Sequence, residues 1–343
     1  MPSPMFSVII PAYNMERYIG ECLGSLDYQT CRDFETVIVD DGSTDDTSRI
    51  IDDWVAKNEC SHVVHKENEG PLLARCCGIS SSVGTYIVFL DADDCLEPEC
   101  LEACRRVITE YSPDIVSFDF FSDRLTRRPM AKHGLPRGGL YTNDEMHVVR
   151  EAVVGGEYNE LCGKAFRRSL FLKDGTDYRT GYHRILLGED WLQLLPVVDP
   201  ADSFFYIPQA LYYYRYNITS STHVYRPQQV DDLHVVLSRV LAYADSWGGR
   251  CPAISRGAAL MQLCGPVRRL ANTRDNSMFH RELQRINRVA QSLGLNPEDT
   301  ARLSPHNRLL SLAILKLQPA KARLLARVVN GVKRLAMKGR RCE

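Results

Sequence analysis

Tyr86-Ile87-Val88-Phe89-Leu90-Asp91-Ala92-Asp93-Asp94 is an apolar run that ends by delivering three carboxylates within four residues. Its first five residues suit a strand buried on both faces of a parallel sheet. Like charges held that close repel. The simplest partner is a divalent cation with hard oxygen chemistry, Mg2+ or Mn2+, which bridges a few protein carboxylates to the phosphates of a substrate. The run therefore reads as a strand that ends in a nucleotide-binding loop.

Two earlier stretches end the same way. Ser7-Val8-Ile9-Ile10 leads into Pro11-Ala12-Tyr13-Asn14, and Glu35-Thr36-Val37-Ile38-Val39 leads into Asp40-Asp41-Gly42-Ser43. Helical periodicity follows each: Tyr18, Ile19, Cys22, Leu23 and Leu26, then Ile50, Ile51, Trp54 and Val55. Ser43 and Thr44 stand where a helix cap belongs. The polar loop at Asn68-Glu69-Gly70 enters a helix near residues 72–81, Gly84 turns the chain into the Asp91 strand, and Glu97-Pro98 opens another helix with Pro in its first turn. A further strand is expected near 114–118. This alternation predicts an α/β fold with a mostly parallel sheet flanked by helices, whose ligands bind outside the carboxyl ends of the strands. The three polar loops are expected to line one crevice.

The ordered segments SVIIPAYN (7–14), VIVDDGSTD (37–45), ENEGPLLARCCGI (67–79) and YIVFLDADD (86–94) resemble the inverting nucleotide-sugar glycosyltransferases of family 2, over roughly residues 5 to 120. The resemblance implies a GT-A fold and a donor site at Pro11, Ala12, Tyr13 and Asn14. Asp40 and Asp41 would bind uridine, with Asp41 accepting the ring N–H of the base. Arg75 would approach the pyrophosphate, Asp91 would lie near the ribose, and Asp93 with Asp91 would hold Mn2+ or Mg2+. Gly188-Glu189-Asp190-Trp191 resembles the family's Glu-Asp motif, in which the Asp is the general base. An inverting transfer is a single in-line displacement and needs such a carboxylate to take the acceptor's proton. Lys164, in Leu161-Cys162-Gly163-Lys164-Ala165-Phe166, resembles a family Lys that meets phosphate or acceptor. Tyr212-Tyr213-Tyr214-Arg215 with Ser220, Ser221 and His223 resembles a further family segment. Two departures stand out. Cys76 occupies a position where Asn usually follows the Arg, and the Gln-x-x-Arg-Trp signature of processive polysaccharide synthases is absent. The second implies transfer of a single sugar; the resemblance as a whole implies a nucleotide-diphosphate donor, UDP-linked, and a hydroxyl acceptor on a sugar or lipid-linked sugar, and together with the basic tail it suggests surface polysaccharide or glycolipid assembly.

Each of these residues also has a plainer reading. Asp91 and Asp93 suit a helix cap or a solvated loop, Asp94 a turn, and Asp40-Asp41-Gly42-Ser43 ordinary turn chemistry. Arg75 and Lys164 could be exposed, and the tyrosines could be core packing. Glu189 and Asp190 are acids favoured at a helix start by the macrodipole, which would also keep Asp190 ionised. Two other functions stay open. A phosphatase of haloacid-dehalogenase type also uses Asp-x-Asp after a strand, but near its N-terminus and with Thr or Val where Cys95 stands. A catalytically silent nucleotide-sugar binding module on the same fold would tolerate Cys76.

Of the 343 residues 44% are hydrophobic and 25% charged, which sets disorder aside as the default. The expected organisation is a catalytic domain over 1–225, with donor binding in 1–120 and the acceptor half in 121–225, and a helical region over 226–343 broken near Gly248-Gly249, Asn296-Pro297 and Pro319. The twelve cysteines are scattered without Cys-x-x-Cys spacing, and Cys100 and Cys104 have no nearby histidine, so they read as buried reduced thiols rather than metal ligands. No apolar run approaches the ~20 residues of a membrane span, and no leader pattern opens the chain, so a cytoplasmic protein is expected. Residues 308–343 hold ten Lys or Arg against one acid, leaving 32 basic and 42 acidic residues in the rest. Leu324, Val328, Val332 and Leu335 share a helical stripe beside Leu325, Val329 and Ala336, with Lys321, Arg323, Arg327, Lys333, Arg334 and Lys338 largely outside it. Such a tail suits either an anionic membrane surface, on the inner face, or packing on the acidic body. No nucleic-acid partner is expected.

Overall fold

The computed structural model describes residues 3–130, 135–182, 184–215 and 225–339, with side chains up to residue 331 in the last helix. Ser220, Ser221, His223, Cys342 and the side chains of Val332, Lys333, Arg334, Leu335, Ala336 and Lys338 lie outside the described residues. The chain forms two compact units. The first comprises Met1–Ala152, Tyr158–Ile185 and Glu189–Asn217; the second comprises Val153–Glu157, Leu186–Gly188 and Ile218–Glu343.

The first unit is built on a sheet of β1 (Phe6–Ala12), β2 (Phe34–Asp40), β3 (Ser61–His65), β4 (Tyr86–Phe89), β5 (Cys95–Leu96), β6 (Ile115–Phe121), β7 (Gly139–Thr142), β8 (Lys164–Arg167) and β9 (Ser203–Tyr213). Its order is β3-β2-β1-β4-β8-β6-β9-β5, with β7 paired to β9. The four strands β3-β2-β1-β4 are all parallel, as is the β6–β9 pair, whereas β8 runs antiparallel to both β4 and β6. Ile9 pairs with Val37 on one side and Phe89 on the other, and all three are fully buried. These apolar runs end together at one edge because the strands are parallel and in register, which brings the polar loops after them side by side.

The helix Pro71–Ser81 sets the geometry of that edge. It starts with Pro in its first turn, where a missing N–H costs nothing. It lies so close to β1 that a Cβ on Gly78 would sit 2.4 Å from the Ile9 side chain. Two expected caps fall elsewhere. The second helix begins at Thr47 with Asp46 as its cap, so Ser43 and Thr44 are free to bond Asn14 instead. Pro98 precedes the cap Glu99 of the helix Cys100–Tyr111, because its carbonyl is taken by the Thr30 N–H at 2.9 Å.

The second unit contains the helices Gln228–Trp247, Cys251–Leu270, Asn276–Ser292, Pro305–Leu315 and Pro319–Gly339. Its core includes Leu237, Leu263, Ile286, Leu310, Ala322 and Ala326. The first break is at Gly248 and Gly249, as the sequence predicts.

Candidate active site

The loops after β1 and β2 clasp each other. Asn14 Oδ1 accepts the Thr44 N–H at 2.8 Å, the Asn14 N–H donates to Ser43 Oγ at 3.0 Å, and the Met15 N–H donates to Thr47 Oγ1 at 2.7 Å. Pro11 and Ala12 close β1, Ala12 buried, and Tyr13 stands 45% exposed beside them. Asp40 is buried and accepts hydrogen bonds from the Ser43 N–H, Ser48 Oγ and His65 Nδ1. Burial opposes its ionisation, but those hydrogen bonds outweigh it and hold the carboxyl below its ordinary value. Asp41 is also buried. It accepts from Lys66 Nζ at 2.7 Å and from the N–H groups of Glu69 and Gly70 at 3.0 and 2.8 Å, and Lys66 and Arg179 both pair with Glu69. Gly42 permits this approach, since its φ is +77° and a Cβ would meet Asn68 N at 2.9 Å. Both acids are thus more than turn residues. The chain Asp41–Lys66–Glu69–Arg179 was not legible in the sequence, because Arg179 lies 110 residues from Glu69.

The acidic loop after β4 is shaped from far along the chain. The Tyr212 hydroxyl donates to Asp94 Oδ2 at 2.8 Å and accepts the Asp91 N–H at 3.1 Å. The Arg215 N–H donates to Asp94 Oδ1 and its Nε to the Asp93 carbonyl, while its guanidinium pairs with Glu21. Burial and the charges of Asp91 and Asp93 push the Asp94 carboxyl up to about 8. The Tyr212 ring is fully buried against Phe120, which is the packing role that the sequence left open.

Arg75 gathers the remaining acids. It is 4% exposed, not on a solvated face, and its guanidinium lies 2.6 Å from Asp190 Oδ1, 3.4 Å from Asp91 Oδ1 and 3.7 Å from Glu189 Oε1. Burial disfavours its charge, but Asp190, Asp91 and Glu189 together raise its pKa and keep it cationic. Glu189 and Asp190 open the helix Glu189–Val198 and keep 19% and 24% of their side-chain surface accessible. Contrary to the expectation from the helix dipole, burial raises the Asp190 pKa despite Arg75. Burial and the neighbouring Asp190 charge push Glu189 up to about 7.

Lys164 is buried, its Nζ donating to the Glu160 carbonyl at 2.6 Å beneath the Tyr158 ring, and burial lowers its pKa. Cys76 points away from the acids toward Gln193, whose Nε2 donates to its thiol at 3.4 Å, and burial pushes that thiol up to about 11. Cys100 and Cys104 are buried as expected, while Cys60 is exposed.

The acidic loop fits a divalent cation only as a partial shell. Among the described residues no three His, Cys, Asp or Glu side chains converge as ligands. Asp91 keeps 36% of its side chain accessible, and Asp94 is consumed by Tyr212 and Arg215. One or two carboxylates are what Mg2+ or Mn2+ usually takes from protein when phosphates supply the rest. The unrelieved repulsion on Asp94 has the sign that a cation beside Asp91 and Asp93 would offset.

Residues 7–173 match the family model described as Glycosyl transferase family 2. The uncharacterized glycosyltransferase EpsJ of Bacillus subtilis is 28% identical over 256 residues, 72% of each chain. Glycosyltransferase GlyA of Streptococcus pneumoniae is 35% identical over 116 residues, 34% of this chain and only 17% of its own. In fold, the chain is similar to Staphylococcus aureus TarS residues 1–349 in complex with UDP-GlcNAc, at TM-score 0.70 and 19% identity over 95% of this chain and 91% of that one. It is also similar to the mannosyltransferase PcManGT from Pyrobaculum calidifontis in complex with GDP-Man and Mn2+, at TM-score 0.53 and 17% identity over 96% and 87%. The phosphatase alternative finds no support in these likenesses. The family match and the relatives agree on one enzyme class, glycosyltransferase, and the stretch that carries the family 2 match holds β1, β2 and β4 with their loops.

Proposed function

We propose that the chain transfers one sugar, with inversion, from a UDP-linked donor to a hydroxyl of a sugar or lipid-linked sugar acceptor. The observation that carries this reading is Arg75, which ties Asp91 at the end of β4 to the Glu189–Asp190 pair, 98 and 99 residues further along the chain, in one ion cluster. Pro11, Ala12, Tyr13, Asn14, Asp40 and Asp41 form the base and ribose end of the donor site, and Arg75 faces the pyrophosphate. Asp93 and Asp91 would hold Mn2+ or Mg2+, which when bound would neutralise the departing diphosphate. Asp190 takes the acceptor's proton as the oxygen attacks. Its raised pKa makes it a stronger base than a solvated Asp, and Glu189 lies close enough to replace it. The stretch 121–225 shapes the acceptor half.

The test is UDP release from a panel of UDP-sugars with Mn2+, in the presence and absence of hydroxyl acceptors. Wild-type chain is expected to release UDP, and Asp190→Asn to keep donor affinity while losing roughly a hundredfold or more in turnover, the scale of a lost general base. Binding without any release would instead identify a silent binding module.

A further inference from the structure

The geometry points to a lipid-docking surface on the last helix of the second unit, Pro319–Gly339, that takes an anionic membrane face. The helix turns its small residues inward: Ala322 and Ala326 are fully buried and Val329 is 4% exposed. Two of its larger apolar side chains stay outside, Leu324 at 63% and Val328 at 53% exposed, one turn apart on the same stripe. Seating the helix on two alanines and Val329 while leaving Leu324 and Val328 side by side in water is not what packing alone selects.

Cations flank the stripe. A cavity of about 460 Å3 opens beside Leu324, between this helix and the helix Asn276–Ser292, and is lined by Phe279, His280, Arg323 and Arg327 with no carboxylate. Arg323 is braced over the Phe279 ring at 4.2 Å and against the Asn276 side chain, and Arg327 Nε donates to the Ala271 carbonyl at 2.9 Å. Neither pairs with a carboxylate among the described residues, so both guanidinium groups are positioned without being neutralised. Lys321 is exposed on the same helix, and the sequence beyond adds Lys333, Arg334, Lys338, Arg340 and Arg341. A narrow apolar stripe beside unpaired cations matches a bilayer interface, where headgroup phosphates meet the arginines and acyl chains meet Leu324 and Val328. No described helix is long and apolar enough to cross a membrane, so the contact is peripheral.

Flotation of the full chain with phosphatidylglycerol or phosphatidylcholine vesicles tests this without any sugar transfer, so it stands or falls apart from the proposed activity. Binding is expected to the anionic vesicles only, and to weaken as salt is raised. Arg323→Gln with Arg327→Gln should lower vesicle affinity roughly fivefold per charge removed. Leu324→Glu with Val328→Glu should abolish flotation at an unchanged melting temperature. If that pair melts lower, the arginine pair decides. No flotation at low salt, equal flotation of the arginine variant, or release by inorganic phosphate at constant ionic strength would overturn the assignment. The last outcome would mean that the cavity takes free phosphate and not a lipid surface.

Discussion

Arg75 is one side chain placed against three acids, and its loss tests that arrangement directly. Arg75→Leu leaves Asp91, Glu189 and Asp190 without their common cation, and because they stay partly accessible the expected loss is about 3 kcal/mol, at the low end for a broken buried ion pair. Urea unfolding checks this; an unchanged midpoint would show that the cluster holds nothing together. The same residues set a pH profile. Glu189 is pushed from 4.5 up to about 7 and Asp190 is raised with it, so transfer should climb with pH and level off above about 7, an apparent value that belongs to the pair. Stability should run the opposite way. A carboxyl whose pKa rises on folding holds its proton more tightly in the folded state, so the urea midpoint should fall as pH goes from 4.5 to about 7. A flat rate profile over that span would remove both acids from the chemistry. The motifs made Asp190, Asp91 and Arg75 visible in the sequence. Their mutual contact was hidden, because motif order says nothing about which side chains meet.

The helix Pro71–Ser81 carries Arg75 and is seated on β1 through Gly78. Gly78→Val should cost about 1–3 kcal/mol by overpacking against Ile9 and Val39, and should weaken donor affinity by pushing Arg75 off its acids. A variant with normal stability and normal donor binding would show that the seat is loose. At this scale β1, β2, β4 and β6 were legible because each is dominated by apolar residues, unbroken in β4 and interrupted in β6 by Ser117 and Asp119. The strands Ser61–His65 and Lys164–Arg167 were not, since both are short and carry charged or polar residues. Lys164 was legible as a motif residue but not as a buried one, because nothing local reveals that Tyr158 and Glu160 cover it.

For the molecule as a whole, UDP with Mn2+ at a hundredfold over its dissociation constant should stabilise the folded chain by about 2.7 kcal/mol and raise its melting temperature by roughly 4 °C. Asp93→Ala should abolish the Mn2+-dependent part of that shift and leave the melting temperature of the free chain unchanged. A shift that survives in the variant would move the metal to other ligands. A change from alternating strands to continuous helix showed in the sequence. The return of short stretches such as Leu186–Gly188 to the second unit did not, since three residues carry no periodicity of their own. The acidic loop also has a history within each molecule. Its Asp94 is held by Tyr212 and by Arg215, 121 residues downstream, so on a ribosome adding about 5–20 residues per second those supports arrive roughly 6–24 s after the carboxylates themselves. During that interval the nascent chain has its nucleotide-binding strands but an unbraced loop, and a pause or truncation before residue 212 would yield a fragment with the sheet begun and the donor site unfinished.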